Sequence, residues 1–136
     1  MTRMSRVLIV EDDGLVRQSF VRMIEEEQDY EVHSAASCAE GLSMVSNNRY
    51  DLILTDIRLG DGTGIKVLER AKKADPQVIV FMITGYSSIQ SMKEAIQKGA
   101  ADYIVKPVDM DLLLLKIKST LERHPRISDQ EGNRTD

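Results

Sequence analysis

Two apolar runs in this chain end in acid. Val7-Leu-Ile-Val10 leads straight into Glu11-Asp12-Asp13, and Leu52-Ile-Leu54 leads through Thr55 into Asp56. If the two runs lie side by side in one sheet, Glu11, Asp12 and Asp56 converge. Carboxylates gathered in this way repel one another unless some are protonated or a cation lies among them. A hard divalent ion is the economical solution, since Mg²⁺ favours oxygen ligands, keeps several waters and is held by one or two carboxylates with phosphate oxygens completing its shell. Two further apolar runs end in complementary groups. Val78 to Ile83 is followed by Thr84-Gly85, a hydroxyl donor where glycine leaves the backbone open to a ligand. Tyr103-Ile-Val105 is followed by Lys106-Pro107, which carries an ammonium towards the acids. Pro107 blocks continuation of the strand and leaves a cis peptide before it as an option.

For these residues to meet, the runs that carry them must be neighbouring strands. Continuous apolar runs of this length read as strands covered by helices on both faces. Tyr30-Glu-Val-His-Ser-Ala35 alternates and is less apolar, as an edge strand would be. Helical spacing lies between the strands. It shows in Val16, Phe20, Met23 and Ile24, in Ala39 to Val45 after a Ser37 cap, in Ile65, Leu68 and Ala71, and in Ile89, Met92, Ala95 and Ile96. A fifth helix starts at Asp109 or Asp111 and runs through Leu112-Leu-Leu-Leu115 to Leu121. Gly41 weakens the second helix by about 1 kcal/mol against alanine. The pattern is a (βα)5 α/β fold: a doubly wound parallel five-stranded sheet of flavodoxin-like order 2-1-3-4-5, with right-handed crossovers. Such sheets bind ligands at the carboxyl ends of strands 1 and 3, where the winding reverses, so function should sit just after Val10 and just after Leu54.

Composition narrows the classes. The 136 residues suit one domain, and 18 Lys plus Arg against 22 Asp plus Glu give a net charge of −4, the wrong sign for a nucleic-acid partner. The lone Cys38 forms no internal disulfide and suits a reducing compartment. Apolar runs are too short to span a bilayer and the N-terminus lacks a signal-peptide core, so a cytoplasmic chain is expected. Residues 5–124 read as the domain, and the polar, aperiodic 125–136 as a tail or a truncated linker.

Glu11-Asp12 after the first strand, Asp56 after the third, Thr84 after the fourth, Tyr103 within the fifth and Lys106-Pro107 at its end resemble the receiver domain of two-component response regulators. The resemblance covers roughly Arg6 to Arg123. It implies that Asp56 is the phosphoacceptor, attacking the phosphohistidine of a sensor histidine kinase or phosphotransfer protein to give an acyl phosphate. It further implies that Asp12 binds Mg²⁺ (or Mn²⁺) directly and Glu11 largely through water, with Asp56 and the Arg58 backbone carbonyl completing the protein ligands. Lys106 would pair with Asp56 and then with the phosphoryl group, and the Thr84 hydroxyl would bond another phosphoryl oxygen. Thr84 and Tyr103 would be the switch, remodelling the face made by the fourth helix, fifth strand and fifth helix, through which a homodimer is an option. The chain would catalyse its own phosphorylation and dephosphorylation without being a conventional enzyme. Thr84-Gly-Tyr-Ser-Ser-Ile89 and Gly99-Ala-Ala-Asp-Tyr103 are similar to receivers that head transcription activators, so the chain would stand alone or form the N-terminal part of such a regulator.

Some features depart from that pattern. Gly60 stands where the family often has proline, so Leu59-Gly-Asp-Gly-Thr-Gly64 is expected to be a mobile loop. Tyr86, two residues past Thr84, would shield an acyl phosphate from water. Other chemistries fit less well. The glycines do not form a dinucleotide loop, three acids after the first strand would repel a flavin phosphate, and Arg58 stands where a dehalogenase-type phosphatase has a second Asp. His33 and His124 read as structural or surface residues. The competing reading is a receiver-like interaction module that signals without phosphorylation. Four consecutive leucines cover too wide an arc for one helix to bury, so one or two of Leu112 to Leu115 are expected at the surface.

Overall fold

The computed structural model describes residues 4–85 and 88–124. In chain order the elements are β1 (Ser5–Val10), α1 (Gly14–Glu25), β2 (Tyr30–Ala35), α2 (Cys38–Asn47), β3 (Leu52–Asp56), β4 (Arg58–Leu59), β5 (Gly62–Thr63), α3 (Gly64–Ala74), β6 (Ile79–Thr84), α4 (Ile89–Gln97), β7 (Asp102–Val105) and α5 (Met110–Arg123). The five main strands form one parallel sheet of order β2-β1-β3-β6-β7, the doubly wound order expected from the sequence.

Alternation along the buried strands divides the core into two layers. Leu8, Val10, Ile53, Val80 and Met82 face one cluster with Val45, Val67, Leu68 and Ala95 from α2, α3 and α4. Val7, Ile9, Leu52, Leu54, Phe81 and Ile83 face the other with Phe20, Ile24, Leu113 and Ile117 from α1 and α5. Leu113 and Ile117 lie one helical turn apart and are 2% and 0% exposed, and burying each stabilises the fold by about 1.5–3 kcal/mol. The leucine run divides as its arc requires: Leu113 goes inside, while Leu112 and Leu115 remain 52% and 63% exposed.

Every main helix starts on a short polar residue in extended backbone. Asp13, Ser37, Thr63, Ser88 and Asp109 each accept a first-turn N–H, an arrangement that stabilises a helix by about 1 kcal/mol. The fifth helix therefore starts after Asp109, and Asp111 lies within its first turn. Gly41, a weak point in helix propensity, is buried where α2 crosses the sheet, and a Cβ there would lie 3.2 Å from a Val10 methyl. The segment expected as a mobile loop instead forms an antiparallel hairpin, with Arg58 opposite Thr63 and Leu59 opposite Gly62. The Lys106-Pro107 peptide is cis. No helix among the described residues is long and apolar enough to cross a membrane. The 125–136 segment and Tyr86 lie outside the described residues.

Candidate metal and phosphoryl centre

Strand register builds the site. Val10 lies opposite Thr55, so Glu11, the next residue, is level with Asp56; Asp56 in turn lies opposite Ile83, one step before Thr84. Thr84 pairs with Val105, which delivers Lys106 one step further on, and the Lys106 N–H donates to the Thr84 carbonyl at 2.8 Å. Four adjacent strands thus bring Glu11, Asp12, Asp56, Thr84 and Lys106 to one edge of the sheet. Asp13 turns away to cap α1, accepting from the Leu15 and Val16 N–H groups at 3.0 and 3.1 Å.

The charges converge. One carboxylate oxygen from each of Glu11, Asp12 and Asp56 lies within 4.8 Å of the others. The Lys106 ammonium donates to Glu11 Oε1 at 2.6 Å and to Asp56 Oδ2 at 2.8 Å. The second Asp56 oxygen accepts from the Arg58 N–H at 3.1 Å, and Asp12 Oδ2 accepts from the Gly60 N–H at 3.0 Å. Glu11 and Asp56 are buried, Asp12 is exposed, and Thr84 is wholly buried. Burial pushes the Glu11 carboxyl above its ordinary range; hydrogen bonds from Lys106 and the Asp13 N–H pull the other way, and the Asp56 charge adds to the rise. Burial alone would lower the Lys106 pKa, but the hydrogen bonds and charges of Asp56 and Glu11 outweigh it and hold the ammonium above its ordinary range.

One ammonium against three carboxylates leaves an excess of negative charge on a set of oxygen donors, two of them buried. That donor chemistry fits a hard divalent cation such as Mg²⁺ and gives no soft ligand for a thiophilic metal. The start of α3 lies close behind Asp56 at Gly64. A Cβ at Gly64 would lie 2.0 Å from the Asp56 carbonyl oxygen and 2.8 Å from Thr55 Oγ1, so only glycine lets α3 start directly behind the acid.

Tyr103 is half-buried against the α2–α3–α4 layer, and its hydroxyl lies 2.9 Å from Ser91 Oγ on α4. Ser91 was not legible as a partner, because only the paired strands and helix bring it to Tyr103. Within its glycine-rich stretch Gly64 is marked by nothing but the glycine spacing.

Comparison with known proteins bears on the same segment. The family model described as response regulator receiver domain matches residues 7–118. The chain is 36% identical over 117 residues, 86% of its length, to the alginate biosynthesis transcriptional regulatory protein AlgB of Pseudomonas putida. It is 32% identical over 128 residues, 94% of its length, to the transcriptional regulatory protein ZraR of Klebsiella oxytoca. It spans 26% and 29% of the lengths of those two relatives. Among solved structures, the CheY-like response regulator receiver domain protein from Methanospirillum hungatei JF-1 superposes with a TM-score of 0.85 at 40% identity, covering 89% of this chain and 96% of that one. The strand order, the acids gathered at its switch point and the family match over residues 7–118 have one explanation: this chain belongs to the response regulator receiver domain family.

Proposed function

We propose that this receiver domain is a switch operated by phosphorylation of Asp56. The observation that carries the reading is the Lys106 ammonium bridging Glu11 and Asp56 within a cluster of three carboxylates at the topological switch point. A carboxylate oxygen of Asp56 attacks the phosphorus of a phosphohistidine on a sensor histidine kinase or phosphotransfer protein; the P–N bond breaks and an acyl phosphate remains on Asp56. Glu11, Asp12, Asp56 and the Arg58 carbonyl would hold Mg²⁺ or Mn²⁺. Such an ion, when bound, supplies positive charge to the phosphoryl oxygens. Lys106 holds Asp56 in place before transfer, as its 2.8 Å contact supports, and then follows the phosphoryl oxygens. The Thr84 hydroxyl bonds another of those oxygens.

The output is a shift between two packings, biased by contacts that only the phosphorylated form makes. Thr84 and Tyr103 carry it, and the Tyr103–Ser91 contact links the tyrosine to α4. The face that would change is unusually apolar for a surface. Ile89, Met92 and Ile96 on α4, Val105 on β7, and Leu112 and Leu115 on α5 are all exposed, which supports a homodimer through this face. The relatives are named as transcriptional regulators, so the chain works either alone or as the N-terminal part of such a regulator, in the cytoplasm. With a net charge of −4, this domain is poorly suited to hold DNA itself, so any DNA contact would belong to a partner or to further sequence.

Incubating the protein with a small phosphodonor and Mg²⁺ and measuring intact mass tests the reading. The expected result is one phosphoryl adduct that is absent in Asp56→Asn. An adduct that survives Asp56→Asn defeats the assignment. Absence of any adduct, with fast turnover excluded, favours an interaction module that signals without phosphorylation.

A further inference from the structure

The hairpin after Asp56 is tied down at its tip by two separate parts of the molecule. On one side the Gly60 N–H donates to Asp12 Oδ2 at 3.0 Å. On the other, Asp61 reaches across to the start of α2, where Oδ1 accepts from the Cys38 N–H at 2.7 Å and Oδ2 from the Ala39 N–H at 3.0 Å. These are first-turn donors that a helix cannot satisfy for itself. The third, the Glu40 N–H, goes to the Ser37 hydroxyl at 3.1 Å. The two backbone hydrogen bonds hold the Asp61 carboxyl below its usual range, as expected of an anion on a helix N-terminus. Packing shows the same attachment: a Cβ at Gly62 would lie 3.0 Å from Cys38 Sγ, so the returning strand of the hairpin rests on the first residue of α2.

Of the two ties, one ends on a residue with another task. Asp12 belongs to the carboxylate cluster, so its carboxylate serves both that cluster and the Gly60 N–H. The Asp61 tie makes no contact with the cluster. We infer that Asp61 is a positioning residue that clamps the Arg58–Thr63 hairpin to α2 and so keeps the Arg58 carbonyl in place when Asp12 engages a cation. The inference rests on the reading of this centre as a Mg²⁺ site. Groups that orient a metal's ligands without touching the metal typically change affinity by about 10–100-fold when removed.

Mg²⁺ titration of the unphosphorylated protein, followed by amide NMR shifts, tests it. Asp61→Ala should raise the Mg²⁺ Kd about tenfold. Its phosphorylation rate should return to the wild-type value at saturating Mg²⁺, so that the defect lies in affinity and not in transfer. Asp61→Asn, which keeps one acceptor oxygen and the side-chain volume, should fall between the two and serves if the alanine variant does not fold. Ser37→Ala removes a cap from the same helix end without touching the hairpin, so it should lower the unfolding midpoint and leave the Kd unchanged. A wild-type Kd in both Asp61 variants overturns the inference, as does a rise in Ser37→Ala equal to that in Asp61→Ala, which would reduce Asp61 to a helix cap. Wild-type protein that binds no Mg²⁺ overturns the reading of the centre and the inference with it. Binding by wild type together with an unchanged Kd in Asp61→Ala overturns the inference alone.

Discussion

The two ends of the sheet solve the problem of polar burial in opposite ways. At the amino end, a buried carboxylate, a buried hydroxyl and the charges around them meet partners. The buried Asp51 accepts the Arg6 N–H at 2.7 Å, Arg6 Nε lies 2.9 Å from Glu31, and the His33 ring lies 2.8 Å from both Glu31 Oε2 and the buried Tyr50 hydroxyl. Backbone hydrogen bonds from Asp51 N to Arg6 O and from Ile79 N to Asp51 O close the same end. At the carboxyl end, three carboxylates converge and one ammonium bridges two of them, Glu11 and Asp56. A buried polar network that is satisfied fixes the structure, whereas one left short of positive charge holds an unfavourable potential that a ligand can relieve. The amino end therefore supports stability and the carboxyl end supports function, and substitutions at the two should separate those quantities.

The largest effect on stability is expected from a backbone clash that the contrast between the two polar sets does not cover, at Gly64. Gly64→Ala forces a Cβ against the Asp56 carbonyl and should cost about 3 kcal/mol, with loss of phosphorylation as the Asp56 backbone moves. Urea unfolding measures the first and adduct formation the second. Next comes Asp51→Ala, which leaves the Arg6 N–H without its carboxylate and should cost about 2 kcal/mol. Its phosphorylation rate under folding conditions should match wild type. A large rate loss there would break the division between the two ends. Tyr50→Phe should cost about 1 kcal/mol, since it removes one hydrogen bond from a His33 ring that water reaches in part.

The carboxyl end was legible in the sequence and the amino end was not, for one physical reason. Apolar runs that stop abruptly at Glu11, Asp56, Thr84 and Lys106 announce both the strand and what stands at its end. Once the strand order is inferred, those residues must meet. Arg6, Glu31, His33, Tyr50 and Asp51 carry no such signal. Their meeting depends on β1–β2 register, which sets Arg6 opposite Glu31, and on where β3 begins. His33 accordingly read as an isolated structural histidine, without its two partners. The β4–β5 hairpin escaped notice because two-residue strands have no periodicity to detect, and its glycines suggested mobility. Gly41 read as a weakness because helix propensity is local, whereas its close approach to Val10 is a tertiary fact.

The smallest effect tests the comparison most directly, because its sign is opposite to the rest. The folded state raises the Glu11 pKa above its ordinary value of 4.5, with burial as the largest cause. A raised carboxyl means that the folded state binds its proton more readily than the unfolded chain does. The contribution of Glu11 to stability is therefore largest below the unfolded value and falls as pH rises from there through the raised value. Ionised Glu11 is therefore expected to weigh against the fold at neutral pH when no cation is bound. Glu11→Gln cannot ionise, so it should remove that fall and leave the variant slightly more stable than wild type at pH 7 in a chelator. The gain should stay below about 1 kcal/mol, because the amide also gives up the charged contact with Lys106. Adding Mg²⁺ should reverse the order, since wild type gains from an ion that binds only its folded state and the variant gains less. Thermal unfolding with and without Mg²⁺ reads both halves. A variant less stable than wild type in chelator would mean that the Lys106 contact outweighs the cost of burial, and that the carboxyl end is as well satisfied as the amino end.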